Sequence, residues 1–245
     1  MTTPNPDAHF PDTQWTLISR LRSQDAAISG RALDELCTQY HYPLYCYIRR
    51  RGLPHHDAQD VLHDFLAKLI RLESFQTARE DKGRLRGFLS TALSRFLSTW
   101  HTSHNKRARE VSLDEELDLS AAEKRFQRER LSDDETPERL FERKWAHELI
   151  RHVLRRMKRE HIARGKEALF EALKPVLLEG GSLRGHDHEA IAATLDMTPG
   201  SLRVALSRLL DSFRDLLREE VAQTVEDLAE VEDEIVYLMT VFERS

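Results

Sequence analysis

Two cysteines, nine glycines and eight prolines in 245 residues leave several protein classes without material. Cys37 and Cys46 lie within apolar helical pattern and lack the spacing of a metal knuckle or disulfide scaffold, so both are expected as reduced core residues. Scarce glycine and proline, with few β-branched runs, leave little room for strands and tight turns. No apolar run approaches the ~20 residues of a membrane span, and MTTPNPDAHFPDTQ has neither the basic start nor the greasy stretch of a signal peptide. A cytoplasmic protein without membrane contact is expected. Positive charge is not in excess either: 37 Lys and Arg stand against 42 Asp and Glu, a formal −5, which excludes a simple polycation that coats nucleic acid. There is no nucleophile with an adjacent base, no glycine-rich phosphate loop and no pair of catalytic carboxylates. The expectation is a protein that is not an enzyme and carries no cofactor or metal.

What is present is apolar residues recurring at three and four positions, the period of a helix buried on one face. Leu33, Leu36, Cys37, Tyr40, Leu44, Tyr45 and Ile48 make one stripe, with Pro43 inside it as a possible bend; Val61, Leu62, Phe65, Leu66, Leu69 and Ile70 make a second. Leu85, Leu89, Leu93, Leu97 and Trp100 lie on a third. The spacing predicts an all-α protein of two small helical bundles joined by an acidic linker. The expected order is a disordered tail over 1–13, a helical domain over 14–109, the linker over 110–136, a second domain over 137–221 and an acidic helix over 222–245. Thr136 and Pro137 are the expected N-cap and first-turn residues where helix resumes.

Charge is segregated. Residues 79–109 hold eight basic and two acidic side chains, and residues 143–166 hold nine and two; residues 110–142 hold twelve acidic and five basic, and the last 27 positions hold nine acidic residues against Arg244. Two basic blocks with an acidic tether suit a chain that touches a polyanion at two places.

The segment HEAIAATLDMTPGSLRVALSRLLDSF has helix-turn-helix spacing. Asp196 tolerates the left-handed backbone of the turn, Pro199 fits the first turn of the second helix, and Leu202, Leu206, Leu209, Phe213 and Leu216 face the core. Ser201, Arg203, Val204, Ser207 and Arg208 are left on the outer face, where such motifs meet base edges and phosphates. Asp211 and Asp215 would repel phosphate and confine contact to the first two turns. A second constellation lies over 79–110, where helical spacing aligns Gly87, Thr91, Ser94, Ser98, His101 and Asn105, rimmed by Arg84, Arg86 and Arg95. Serine and threonine form helix less well than the Glu and Lys usual on a solvated face, and small hydroxyls let a nucleic-acid strand approach closely. Phe88 and Trp100 lie on the apolar stripe and are expected in the core.

LDELCTQYHYPLYCYIRRRGLPHHDAQDVLHDFLAKLI followed by FLSTALSRFLSTW resembles the second region of bacterial RNA polymerase sigma factors, and the helix-turn-helix over 187–217 resembles their fourth region. The order and spacing, without an intervening third domain, resemble the extracytoplasmic-function type of the sigma-70 family, over about two-thirds of the chain. TPERLFERKWAHELI and REEVAQTVED resemble a branch of that type with a C-terminal extension. The resemblance implies a transcription initiation factor that directs promoter recognition and DNA melting, with core RNA polymerase, through its clamp helices and flap, and promoter DNA as partners, and an anti-sigma factor or other regulator as a further one.

By that resemblance Asp57, Gln59, Asp60, Asp64 and Phe65 dock on polymerase; Arg84, Arg86, Thr91, Ser94, Arg95 and Ser98 capture the opened −10 strand; Ser201, Arg203, Val204, Ser207 and Arg208 read the −35 duplex. The acidic linker would thread the polymerase channel that later carries RNA. Ala205 stands where many relatives have a basic residue, which weakens the expected −35 contact. The C-terminal helix is expected to dock through Leu228, Val231, Ile235 and Leu238 on the helix-turn-helix domain, its carboxylates covering Arg203 and Arg208. Two other functions fit the residues less well. One is a helical polymerase-binding regulator that has lost promoter reading; the other is a metal-dependent phosphohydrolase suggested by His63-Asp64.

Overall fold

Capping side chains start the helices. In the computed structural model, which describes residues 17, 20, 21, 23–71, 84–104, 119–129, 135–225 and 227–243, the Asp25 carboxylate accepts the N–H of Ala27 at 2.8 Å and opens α1, Ala26–Arg50. There follow α2 (His55–Arg71), α3 (Leu85–His104), α4 (Leu119–Arg128), α5 (Pro137–Ala163), α6 (Glu167–Leu178), α7 (His188–Thr194) and α8 (Pro199–Ala222). A short 3-10 turn, Leu228–Glu230, leads into α9 (Val231–Glu243). The chain is all-α, with no strand among the described residues. Pro43 is buried inside α1 without ending it. Thr136 Oγ1 accepts the N–H of Arg139 at 3.3 Å and Pro137 takes the first position of α5, where its missing N–H costs nothing. None of the described helices is long and apolar enough to cross a membrane.

The chain divides into two units, residues 1–148 with 222–245, and residues 149–221. In the first, the α1, α2 and α3 stripes are buried as expected: Leu36, Tyr40, Tyr45, Val61, Leu62, Leu89 and Leu93 have no exposed surface. Tyr40 stacks on Trp145 at 6.5 Å, and Tyr47 meets Phe141 edge-on at the same separation. Trp100 is buried on the stripe, as expected, and donates its indole N–H to Asp64 at 3.4 Å; Phe88 is half-buried. Cys46 is buried and burial pushes its thiol up to about 12, the behaviour of an inert core residue.

Part of the segment expected as a linker belongs to this unit. Phe126 of α4 sits edge-on to Tyr45 and under the Arg49 guanidinium at 5.0 Å, while Tyr45 and Arg49 both bind the Glu123 carboxylate. Arg125 lies 3.6 Å over the Tyr42 ring and pairs with Glu148. The polar composition that reads as solvated tether is thus complemented by partners on α1 and α5. The rest of that segment, the tail over 1–13, and Asn105, Lys106, Arg107 and Arg109 lie outside the described residues.

The C-terminal helix corrects a second expectation. It belongs to the first unit, not to that of the helix-turn-helix. Val231 and Leu238 are buried and Ile235 is half-buried, whereas Leu228 is 61% exposed. Glu234, between them on the same stripe, has no exposed surface at all.

The second unit closes around Val153, Met157, Phe170, Leu173, Val176, Ala192, Leu202, Leu206 and Leu209, with Ile191 and Leu195 packed at its edge. Gly181, at φ +72°, lets the loop before α7 press on α8: a Cβ there would come within 2.6 Å of a Leu210 methyl. Leu206→Ala should therefore cost about 2–5 kcal/mol of unfolding free energy, while Val204→Ala, two residues away and half-exposed, should stay within about 0.5 kcal/mol. Chemical denaturation of the two variants of the full chain checks the contrast.

Candidate nucleic-acid interface

In the second unit the loop–helix geometry presents one face of α8. Asp187 caps α7 by accepting the Ala190 N–H at 3.0 Å, and Asp196 turns the chain with φ +52°, the only positive φ of a non-glycine residue among those described. Thr198 Oγ1 then accepts the Ser201 N–H at 3.1 Å and opens α8. Leu202, Leu206 and Leu209 point into the core, which leaves Ser201, Arg203, Val204, Ser207 and Arg208 exposed together over two turns. Neither Arg203 nor Arg208 has a carboxylate within ion-pair distance among the described residues. Asp211, one turn further along, pairs with Arg214 at 3.1 Å instead. A cleft of about 740 Å³ flanks this face, lined by Arg184, His186 and His188 of the 181–188 segment and by Arg203, Ser207 and Arg214 of α8, with no carboxylate in its wall. Such a surface attracts phosphate along its edge and offers donors at its tip.

The first unit carries the other expected face. Gly87, Thr91, Arg95 and Ser98 are exposed on α3 and Ser94 is half-buried. Arg95 has no carboxylate partner among the described residues. Several hydroxyls are already engaged: Ser98 Oγ donates to the Ser94 carbonyl at 3.0 Å, and Ser94 Oγ accepts from Arg51 at 3.3 Å. Back-bonding of this kind explains part of the hydroxyl content without a ligand.

Arg84 and Arg86 are placed differently from the expected rim. Arg86 is 4% exposed, its guanidinium 4.6 Å above the Trp145 ring and 5.4 Å from that of Tyr237, and it pairs with Glu234 of α9. Arg84 Nη1 lies 2.7 Å from the other oxygen of the same carboxylate. Tyr237 donates to Glu142, and burial together with that bond pushes its hydroxyl up to about 12, so it stays a neutral donor. The exposed face of α3 is therefore reduced to Thr91, Ser94, Arg95 and Ser98. Glu234, Trp145 and Tyr237 were missed in the sequence; the signal was a lone glutamate at helical spacing between Val231 and Leu238.

On α2, Asp57, Gln59 and Asp60 are half-buried and Asp64 is exposed, an acidic face as expected. Phe65 is not on it. It is 2% exposed and packs on Phe96 at 5.7 Å, because its position belongs to the apolar stripe. His41 is held down to about 4, first by burial and then by the neighbouring His63. Among the described residues no three His, Cys, Asp or Glu side chains are grouped so as to hold a metal ion, so the His63-Asp64 dipeptide gains no support from its surroundings.

The second basic block, over 143–166, is partly neutralised by acidic residues that lie outside it. Arg143 pairs with Glu135, Lys144 with Glu129, and Arg156 with Glu219 at 2.7 Å and Glu220 at 3.3 Å. No family model matches the chain, and neither a curated protein nor a solved structure matches it.

The seat of α4 is pH-dependent. Burial alone would raise Glu123, but hydrogen bonds from Tyr45 and Gln127 and the charges of Arg49 and His55 outweigh it and hold the carboxyl below its ordinary value. A lowered folded-state value contributes stability that is present above the unfolded carboxylate range and lost as pH falls through the folded value. Thermal melts of the wild-type chain should therefore drop on acidification below the ordinary carboxylate range, and the gap to Glu123→Gln should narrow over the same interval.

Proposed function

We propose that this chain is a sigma factor of bacterial RNA polymerase, of the extracytoplasmic-function type, which directs core enzyme to promoters and assists DNA opening without catalysis of its own. The observation that carries the reading is the exposed, carboxylate-free group Ser201, Arg203, Val204, Ser207 and Arg208 on the first two turns of α8, presented by a left-handed Asp196 turn and flanked by an arginine-lined cleft. Duplex would be read there. Phosphates of the adjoining backbone would lie toward Arg184, which supplies charge without base discrimination.

Thr91, Ser94, Arg95 and Ser98 on α3 would meet the separated strand, and the acidic face of Asp57, Gln59, Asp60 and Asp64 on α2 would meet basic polymerase residues. Residue pairs that bind only the single strand shift the equilibrium toward the open state by their differential affinity. The burial of Arg86 and the pairing of both Arg84 and Arg86 with Glu234 favour a second reading, a polymerase-binding regulator that no longer captures the strand.

Transcription with purified core polymerase on genomic fragments separates the two. An active factor yields discrete start sites; a regulator binds core enzyme and yields none. In that assay Arg203→Ala and Arg208→Ala should each cost about 1–3 kcal/mol at individual promoter positions if they read bases. Arg184→Ala should instead weaken all promoters alike and lower the slope of log affinity against log salt by about 1.

A further inference from the structure

The N-terminal end of α3 is an unusual place for two arginines. A helix N-terminus carries partial positive charge and favours acidic residues, yet the first turn of α3 has none, and Arg84 and Arg86 add two full charges to it. The compensating anion comes from 148 residues away: Glu234 of α9, fully withdrawn from solvent. One of its oxygens accepts a hydrogen bond from Arg86; the other lies 2.7 Å from Arg84 yet has no aligned donor. The seat therefore matches the carboxylate in charge but leaves one of its two oxygens without an aligned donor among the described residues. A phosphodiester group, with its negative charge spread over tetrahedral oxygens, suits two guanidiniums at a helix N-terminus at least as well.

We infer that the Arg84–Arg86 seat is a binding site for a phosphate of single-stranded DNA, and that Glu234 occupies it as an internal phosphate mimic, so that α9 and the strand exclude one another. The inference rests on the strand-capture role proposed above and adds its regulation. The seat continues along α3 toward Thr91, Arg95 and Ser98, which are exposed, and half-buried Ser94. A strand would enter along those side chains and compete for the arginines at the end. Trp145 and Tyr237 flank Arg86 with their rings, so release of α9 would remove Tyr237 and leave the Trp145 face to the incoming chain.

Competition makes two measurements on the full chain. In the first, hydrogen exchange of the amides of 231–243 is followed with and without a fluorescent single-stranded oligodeoxynucleotide of mixed sequence, at low salt. Bound strand should strip protection from α9 selectively; saturation with protection unchanged, or no binding to wild type and to Glu234→Gln alike, overturns the inference. In the second, Glu234→Gln keeps the shape but removes the charge, and should bind the oligonucleotide about tenfold more tightly because the open state is no longer a minor fraction. Equal or weaker binding by a folded Glu234→Gln chain overturns it; if that variant does not fold, wild-type exchange decides alone. Failure of wild type to start transcription with core polymerase would reject the initiation role while leaving the displacement of α9 by the strand to stand or fall on exchange.

Discussion

A carboxylate removed completely from water needs matching charge beside it, and among the described residues Glu234 meets that condition through Arg84 and Arg86. Much of the first unit is arranged around this requirement. The α9 stripe carries the glutamate inward between Val231 and Leu238, and Trp145 supplies an aromatic face for Arg86. Tyr237 ties the same helix to Glu142 of α5. The ends of α3, α5 and α9 thus meet at one buried ion cluster rather than at an all-apolar contact.

The same logic explains α4. Its acids face Arg49 of α1 and Lys144 of α5, and its Arg125 faces Glu148 and the Tyr42 ring. A chain rich in both signs of charge has satisfied much of it internally. Arg95, Arg203 and Arg208 are among the basic side chains that have no carboxylate partner among the described residues. They stand on the two helical faces proposed for nucleic acid, one in each unit.

The apolar stripes of α1, α2, α3 and α8 were legible because a period of three to four residues is imposed by helix geometry before any tertiary contact exists. Asp196 and Thr136 were legible for a similar reason: turn and cap chemistry is local. Arg86 and Glu234 were not. Pairing across 148 residues leaves no periodic trace, and a polar residue on an apolar face reads equally as an irregularity. Phe65 shows the opposite error, since a role carried over by resemblance placed it at a surface although its own spacing assigned it to the core. The docking of α4 on α1 and α5 was hidden because net charge, rather than the placement of Phe126 and Arg125, dominated the appearance of its segment.

Whether α9 sits on α3 is the question on which the account turns, and the distance between the two helices measures it. Paramagnetic labels at exposed Thr91 and Val236, in a Cys37→Ser chain whose remaining Cys46 is buried, report that distance in solution. The free protein should give one narrow short distance, and Arg86→Ala should abolish it. A broad distribution in the unmodified pair, or one indifferent to Arg86, would contradict that placement of α9.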